Sequence, residues 1–159
     1  MKICFTWCLM VCISVSFAQS KKEIQKYKIK SLTESFQSVN GDGTLVLDMQ
    51  ERYDKNGNVV EKIVYDKTGQ LKQRTVLKYN NLFDKIEETV FDSMGKQIGR
   101  ETYKYDSFGE KSEEAKYNSN DELISKSVYS FNKKQLKTAR KTFDAKGNLI
   151  QIKIYTYEF

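Results

Sequence analysis

Few residue types in this 159-residue chain are placed to do chemistry, and the most regular of them are tyrosines. Tyr103, Tyr129 and Tyr155 follow one another at intervals of 26 residues. Rings at constant spacing can form a binding platform. Aromatic faces stack on sugars, bases or apolar ligands, and Lys or Arg beside them favours an anionic partner. The plainer reading is that the rings pack as cross-strand pairs of a sheet. Carboxylates stand in adjacent pairs at Glu87-Glu88 and Glu113-Glu114. Neighbours on a strand point to opposite faces and cannot share one proton or one glycosidic bond, so these read as solvated strand charges. Asp54-Lys55-Asn56-Gly57-Asn58 places oxygens at alternate positions as a calcium loop does, but lacks the distal bidentate glutamate. Turn-forming Asp and Asn account for it without a metal.

Composition closes off most other chemistry. The sequence has no His and no Pro, and its three cysteines (Cys4, Cys8, Cys12) and only tryptophan, Trp7, all lie in MKICFTWCLMVCISVSFA, residues 1–18. That segment reads as a signal peptide. Lys2 supplies the positive start, an apolar run follows, and Ser16-Phe17-Ala18 sets small residues around a cleavage before Gln19. The apolar stretch is short for a bilayer span and a Lys-rich segment follows it, which argues against a membrane anchor. A lipoprotein built on Cys12 is the minor alternative, because Val11 is bulky where a small residue is wanted. Residues 19–159 then form a single β-repeat domain of about 141 residues with neither Cys nor His. Ser-His-Asp and Cys-His catalysis, His/Cys zinc sites and disulfides are all excluded. Asn40-Gly41-Asp42-Gly43 lies on an expected hairpin turn with no helix to follow, so it is no phosphate loop. No catalytic residue, cofactor or metal is expected. With Lys2 removed, 26 Lys+Arg stand against 21 Asp+Glu, or +5. An excess spread without single-sign runs speaks for solubility rather than for an anion-binding patch.

The elements that must position these side chains follow from a repeat. An aromatic residue followed by Asp or Asn occurs at Tyr53, Tyr65, Tyr79, Phe91, Tyr105, Tyr117, Phe131 and Phe143, at spacings of 12, 14, 12, 14, 12, 14 and 12. The rule extends forward to Tyr157 and backward to Val39 and Tyr27. The unit is therefore 26 residues in two unequal halves. Four residues past these anchors stands Gly43, Gly57, Gly69, Gly95, Gly109 or Gly147, with Phe83, Asp121 and Gln135 in the other turns. Asp or Asn opening a type I turn and Gly closing it in the left-handed conformation make a three-residue hairpin loop with a G1 bulge. Tyr65 should then face Leu71, with Asp66 opposite Gln70.

Between turns the period is two, and no window sustains 3.6, so helices are not expected. Both spacings are even, which would put every anchor on one face and leave the charged residues on the other. The sequence predicts an all-β antiparallel meander of about eleven strands, alternately short and long. The two-residue difference between the halves staggers the strands steadily. With the aromatic face turned inward, a closed or nearly closed barrel is favoured over an open twisted single sheet. Membrane insertion is not expected, because Lys62, Arg74, Glu88, Arg100 and Lys126 interrupt any lipid-facing band.

The stretches YDKNGNV (53–59), YDKTGQL (65–71) and FDAKGNL (143–149) resemble the YD repeats of Rhs-type bacterial surface and secreted proteins. The SFAQ junction resembles export signals of Bacteroidota. The resemblance spans nearly all of residues 19–159. It implies a β-hairpin repeat architecture and, since some YD-repeat regions bind carbohydrate, a glycan ligand. The expected function is that of a non-enzymatic exported protein binding a ligand or partner at the periplasm or cell surface, with Tyr103, Tyr129 and Tyr155 as ligand-binding residues. The alternative is a structural or protein-interaction (immunity-like) module with a filled aromatic core and no small-molecule site. Export makes nucleic acid a poor candidate for partner.

Overall fold

The computed structural model describes residues 20–37 and 43–159. The signal-peptide reading of residues 1–18, Cys12 included, and the anchor at Val39 lie outside the described residues. Ten strands follow one another in sequence order, each hydrogen-bonded to the next: β1 Ser31–Gln37, β2 Leu45–Tyr53, β3 Val59–Tyr65, β4 Leu71–Tyr79, β5 Lys85–Asp92, β6 Gln97–Tyr105, β7 Lys111–Tyr117, β8 Leu123–Phe131, β9 Lys137–Asp144 and β10 Leu149–Ile154. The antiparallel meander is as the spacing requires, and long and short strands alternate as far as β9, while β10, expected to be long, has six residues. Strands β2, β4, β6 and β8 have nine residues each.

The hairpins close as the turn chemistry dictates. Tyr65 pairs with Leu71, the Asp66 N–H donates to Gln70 O at 2.8 Å, and the Gly69 N–H donates to Asp66 O at 2.9 Å. Asp66 Oδ1 accepts the Thr68 and Gln70 N–H groups, the local bonds that make Asp a turn residue. The turns without glycine take the same shape: Phe83, Asp121 and Gln135 adopt φ of 67°, 61° and 60°.

Where an eleventh strand was expected, the chain forms a helix, α1, Lys21–Tyr27, and the extrapolated anchor Tyr27 is its last residue. Local bonding overrides the repeat. The Ser20 hydroxyl accepts from the Glu23 N–H while the Glu23 carboxylate accepts from the Ser20 N–H, a complete capping box. Ile24 is buried, and Lys21 Nζ donates to Asn58 Oδ1 at 2.6 Å, which seats α1 on the β2–β3 turn.

Every hairpin from β2 onward also carries one unpaired residue, and this settles which face each side chain takes. Tyr105 pairs with Lys111 and Lys104 with Glu113, which leaves Ser112 over. The same break falls seven residues after every anchor from Tyr53 to Phe143. One extra residue reverses the alternation beyond it. The anchors therefore do not share a face, as the even spacing had suggested. Tyr53, Tyr79, Tyr105 and Phe131 lie on one face, called front, together with Tyr103, Tyr129 and Tyr155. Tyr65, Phe91, Tyr117 and Phe143 lie on the back.

Among the described residues β1 and β10 are free edges and do not pair with each other, so the sheet is open and the preference for a closed barrel is corrected. A closed barrel of this size must fill its interior from one inward face. Aromatics divided between two faces, each laced with ion pairs, leave neither face suited to that role. Among the described residues no side chain is fully buried. Cohesion accordingly rests on ladder bonds and cross-strand pairs rather than on a deep core.

Candidate functional site

Strands β5, β7 and β9 begin with Lys85, Lys111 and Lys137, again 26 residues apart. Each sits opposite a front-face anchor: Tyr79, Tyr105 and Phe131. Their ammonium groups lie against the three tyrosines of the neighbouring long strands. Lys85 and Lys111 are 4.8 and 5.0 Å from the centre of the Tyr103 ring. Lys111 and Lys137 are 5.3 and 4.7 Å from Tyr129, and Lys137 is 5.7 Å from Tyr155. A cation within about 6 Å of a ring is attracted by the ring quadrupole. Tyr103, Tyr129 and Tyr155 thus belong to one alternating column with three lysines. Sequence reading did not single out those lysines, although their 26-residue spacing was the available signal.

The members of the column differ in availability. Tyr103 and Tyr129 are each 8% exposed. Their hydroxyls donate to Glu101 at 2.8 Å and to Glu114 at 3.0 Å. Burial first, and the carboxylate partner second, push both hydroxyls to higher pKa, that of Tyr129 to about 12. These two rings are packed, hydrogen-bonded side chains. Tyr155, beside the open edge, is half-buried.

Charge is neutralised in the first two units. Lys85 donates to Glu88 at 2.5 Å and Lys111 to Glu114 at 2.6 Å, each three residues on. Burial raises the pKa of the Glu114 carboxyl, but Lys111, the Tyr129 hydroxyl and Arg140 outweigh it, so the net shift is downward. Glu88 and Glu101 sit directly opposite one another on β5 and β6, a meeting across strands that the adjacent pairs in the sequence had not suggested. Each has its own partner: Lys85 for Glu88, and Lys116 at 2.7 Å with the Tyr103 hydroxyl for Glu101. Glu87 and Glu113 point to the back, where Glu87 meets Lys78 at 2.7 Å and Glu113 meets Lys104 at 2.9 Å.

The third unit departs from this pattern. The place of Glu88 and Glu114 is taken by Arg140, which pairs directly with Lys153 across β9 and β10. Arg140 bonds Ser127 Oγ at 3.1 Å and reaches Glu114 only at 3.8 Å. Lys137, Arg140 and Lys153 therefore share the front face with Tyr155, Lys137 at 5.7 Å from that ring and Arg140 at 5.8 Å from Tyr129. Glu114 is their one carboxylate in ion-pair reach among the described residues. Like charges directly opposite on a sheet destabilise it. The basic excess that looked diffuse along the chain is concentrated at this end. Two open clefts lie at the other end, about 560 Å³ beside α1 and about 710 Å³ between the β2–β3 and β4–β5 turns. Both include Asp54, whose carboxylate is taken by the Asn56 and Asn58 N–H groups and the Asn58 amide.

No protein-family model and no curated protein matches the sequence. Partial likeness is found to the crystal structure of TarM, at 14% identity and TM-score 0.32, over 82% of this chain and 22% of that one. A S. aureus TarM mutant in complex with Fondaparinux, alpha-GlcNAc-glycerol and UDP gives 13%, 0.33, 82% and 23%. The GtfA/B complex bound to UDP and GlcNAc gives 13%, 0.31, 77% and 24%. The chain spans at most about a quarter of their length. Likeness of this degree shows neither a shared family nor a shared activity.

Proposed function

We propose that the protein is an exported, non-enzymatic binding module of the periplasm or cell surface. Its ligand is an anionic glycan, held on the front face of the last repeat by Tyr155 with Lys137, Arg140 and Lys153. The observation that carries this reading is the replacement of the paired carboxylate by Arg140, which pairs across strands with Lys153, two residues before the half-buried Tyr155. A sugar stacks on the Tyr155 face, and its carboxylate or sulfate accepts charge-assisted hydrogen bonds from the surrounding cations. Tyr103 and Tyr129 serve this site as struts that fix the lysine positions. Export is supported by the charge, apolar run and small residues of 1–18.

Binding of the purified protein to a uronate-containing polysaccharide and to a neutral one tests the proposal. The expected result is binding to the anionic polymer alone, weakening with salt. Tyr155→Ala and Lys137→Ala should each lose about tenfold in affinity, whereas Lys62→Ala, earlier in the sheet, should not. Equal binding of the neutral polymer, or unchanged affinity in both site variants, overturns it.

A further inference from the structure

The back face carries its own repeating charge pattern. Glu61 lies between Arg52 and Arg74 at 3.0 and 2.6 Å, Glu87 between Lys78 and Arg100 at 2.7 and 3.8 Å, and Glu113 between Lys104 and Lys126 at 2.9 and 3.1 Å. The same three places one unit later hold Ser130, Ala139 and Ile152. The last repeat exchanges an ion-pair triad for neutral residues spread over β8, β9 and the edge strand β10.

Strand β10 is exposed throughout, and Ile150, Ile152 and Ile154 keep 60%, 50% and 69% of their surface. All three fall on the back face. The edge has no Pro, its only charge, Lys153, lies on the other face, and its bulge at Ile150 sits at the start of the strand, leaving residues 151–154 regular. The Tyr155 N–H bonds inward to Thr138 O at 3.0 Å, so by alternation the backbone groups of Ile152 and Ile154 point outward from the sheet.

We infer that two copies of this chain join along β10, antiparallel, about a two-fold axis through Ile152. The strand is self-complementary in this register and poorly matched in others. Ile152 meets Ile152 of the second copy, Ile154 meets Ile150, and Lys153 meets Gln151. A register centred one residue later sets Lys153 against Lys153, a like-charge contact. The other free edge, β1, reads SLTESFQ and would place Ser31, Thr33 and Ser35, its back-face residues, against the isoleucines. An isologous pairing therefore fits better than a head-to-tail one. The axis runs perpendicular to the sheet, so each face continues across the junction and both Tyr155 clusters open on the same side.

Light scattering and sedimentation of the purified protein test this directly. The expected result is a reversible dimer whose dissociation constant rises at least tenfold in Ile152→Lys, with the circular dichroism and thermal midpoint of the monomer fold retained. An Ile152→Cys variant should form a symmetric 152–152 crosslink under mild oxidation, while Thr33→Cys mixed with Ile152→Cys should give no 33–152 crosslink. A monomer at the highest soluble concentration overturns the inference. So does a dimer indifferent to Ile152→Lys, or one crosslinked through β1.

Discussion

At the scale of single residues, the front-face anchors do more than mark turns. The Tyr79 hydroxyl donates to Val59 O at 2.9 Å, Tyr105 to Lys85 O at 2.8 Å and Tyr157 to Lys137 O at 2.8 Å, each reaching twenty residues back. Phe131 stands in the same series without a hydroxyl. Phe131→Tyr should supply the missing bond to Lys111 O and raise stability by about 0.5–1 kcal/mol, and Tyr105→Phe should lower it by a similar amount. Urea unfolding measures both, and shifts of the same sign in the two variants would contradict the ladder. Titration adds a second test. Glu61, held mainly by the Arg74 hydrogen bond, and Glu113, held mainly by Lys104, have pKa values below the usual carboxylate range, as does Glu114. Their folded values lie below the unfolded ones, so the stability they lend is present above about pH 4.3 and lost as pH falls through the folded values. Tyr129 has the opposite sign: raised to about 12, it lends stability that fades as pH climbs from about 10. The urea midpoint should therefore hold a plateau near neutrality and drop on both sides. A midpoint unchanged between pH 5 and 3 would remove the carboxylate account.

At the scale of elements, the turn is the unit that repeats most faithfully, and it accepts residues that cost it energy. Gln135 holds a left-handed φ of 60° that glycine takes without strain. Gln135→Gly should gain up to about 1 kcal/mol, because relief of left-handed strain exceeds the added chain entropy. Gly109→Ala should lose about 1 kcal/mol. A Cβ at Gly109 meets nothing within 4 Å, so that loss would be a backbone effect alone, and thermal unfolding of the pair reads it. The turns were legible because Asp, Asn and Gly act through their own backbone bonds. The extra residue of each hairpin was not. Its positions hold Val60, Lys72, Ile86, Ile98, Ser112, Ile124, Thr138 and Ile150, where Ile recurs but Lys and Ser are equally accepted, so no single residue type marks it. Without it, even spacing placed all the aromatics together and made a barrel attractive. Helix α1 is a different case, since Ser20 and Glu23 carry a readable capping box over which the repeat was extrapolated. Of the site, the three tyrosines were legible from their spacing. Which of them is open depends on distance from the edge, a property of the sheet and not of any window of sequence.

At the scale of the whole molecule, the chain is a ladder whose rungs contact only their neighbours, and its ends differ from its middle. Interior units balance charge on both faces. The last unit gives up that balance twice, gaining an excess of cations over carboxylates at the front and isoleucines at the back. Both proposals depend on β10 being an edge, which is also what distinguishes an open ladder from a barrel. The most direct measurement is the distance between spin labels at Thr33 on β1 and Ile152 on β10, in labelled protein diluted with unlabelled chain. Ten strands in one open sheet place these edges roughly 40 Å apart at about 4.8 Å per strand step. The account predicts a distribution centred near that separation. A distance close to a single strand spacing would mean that β1 and β10 pair, and would contradict it.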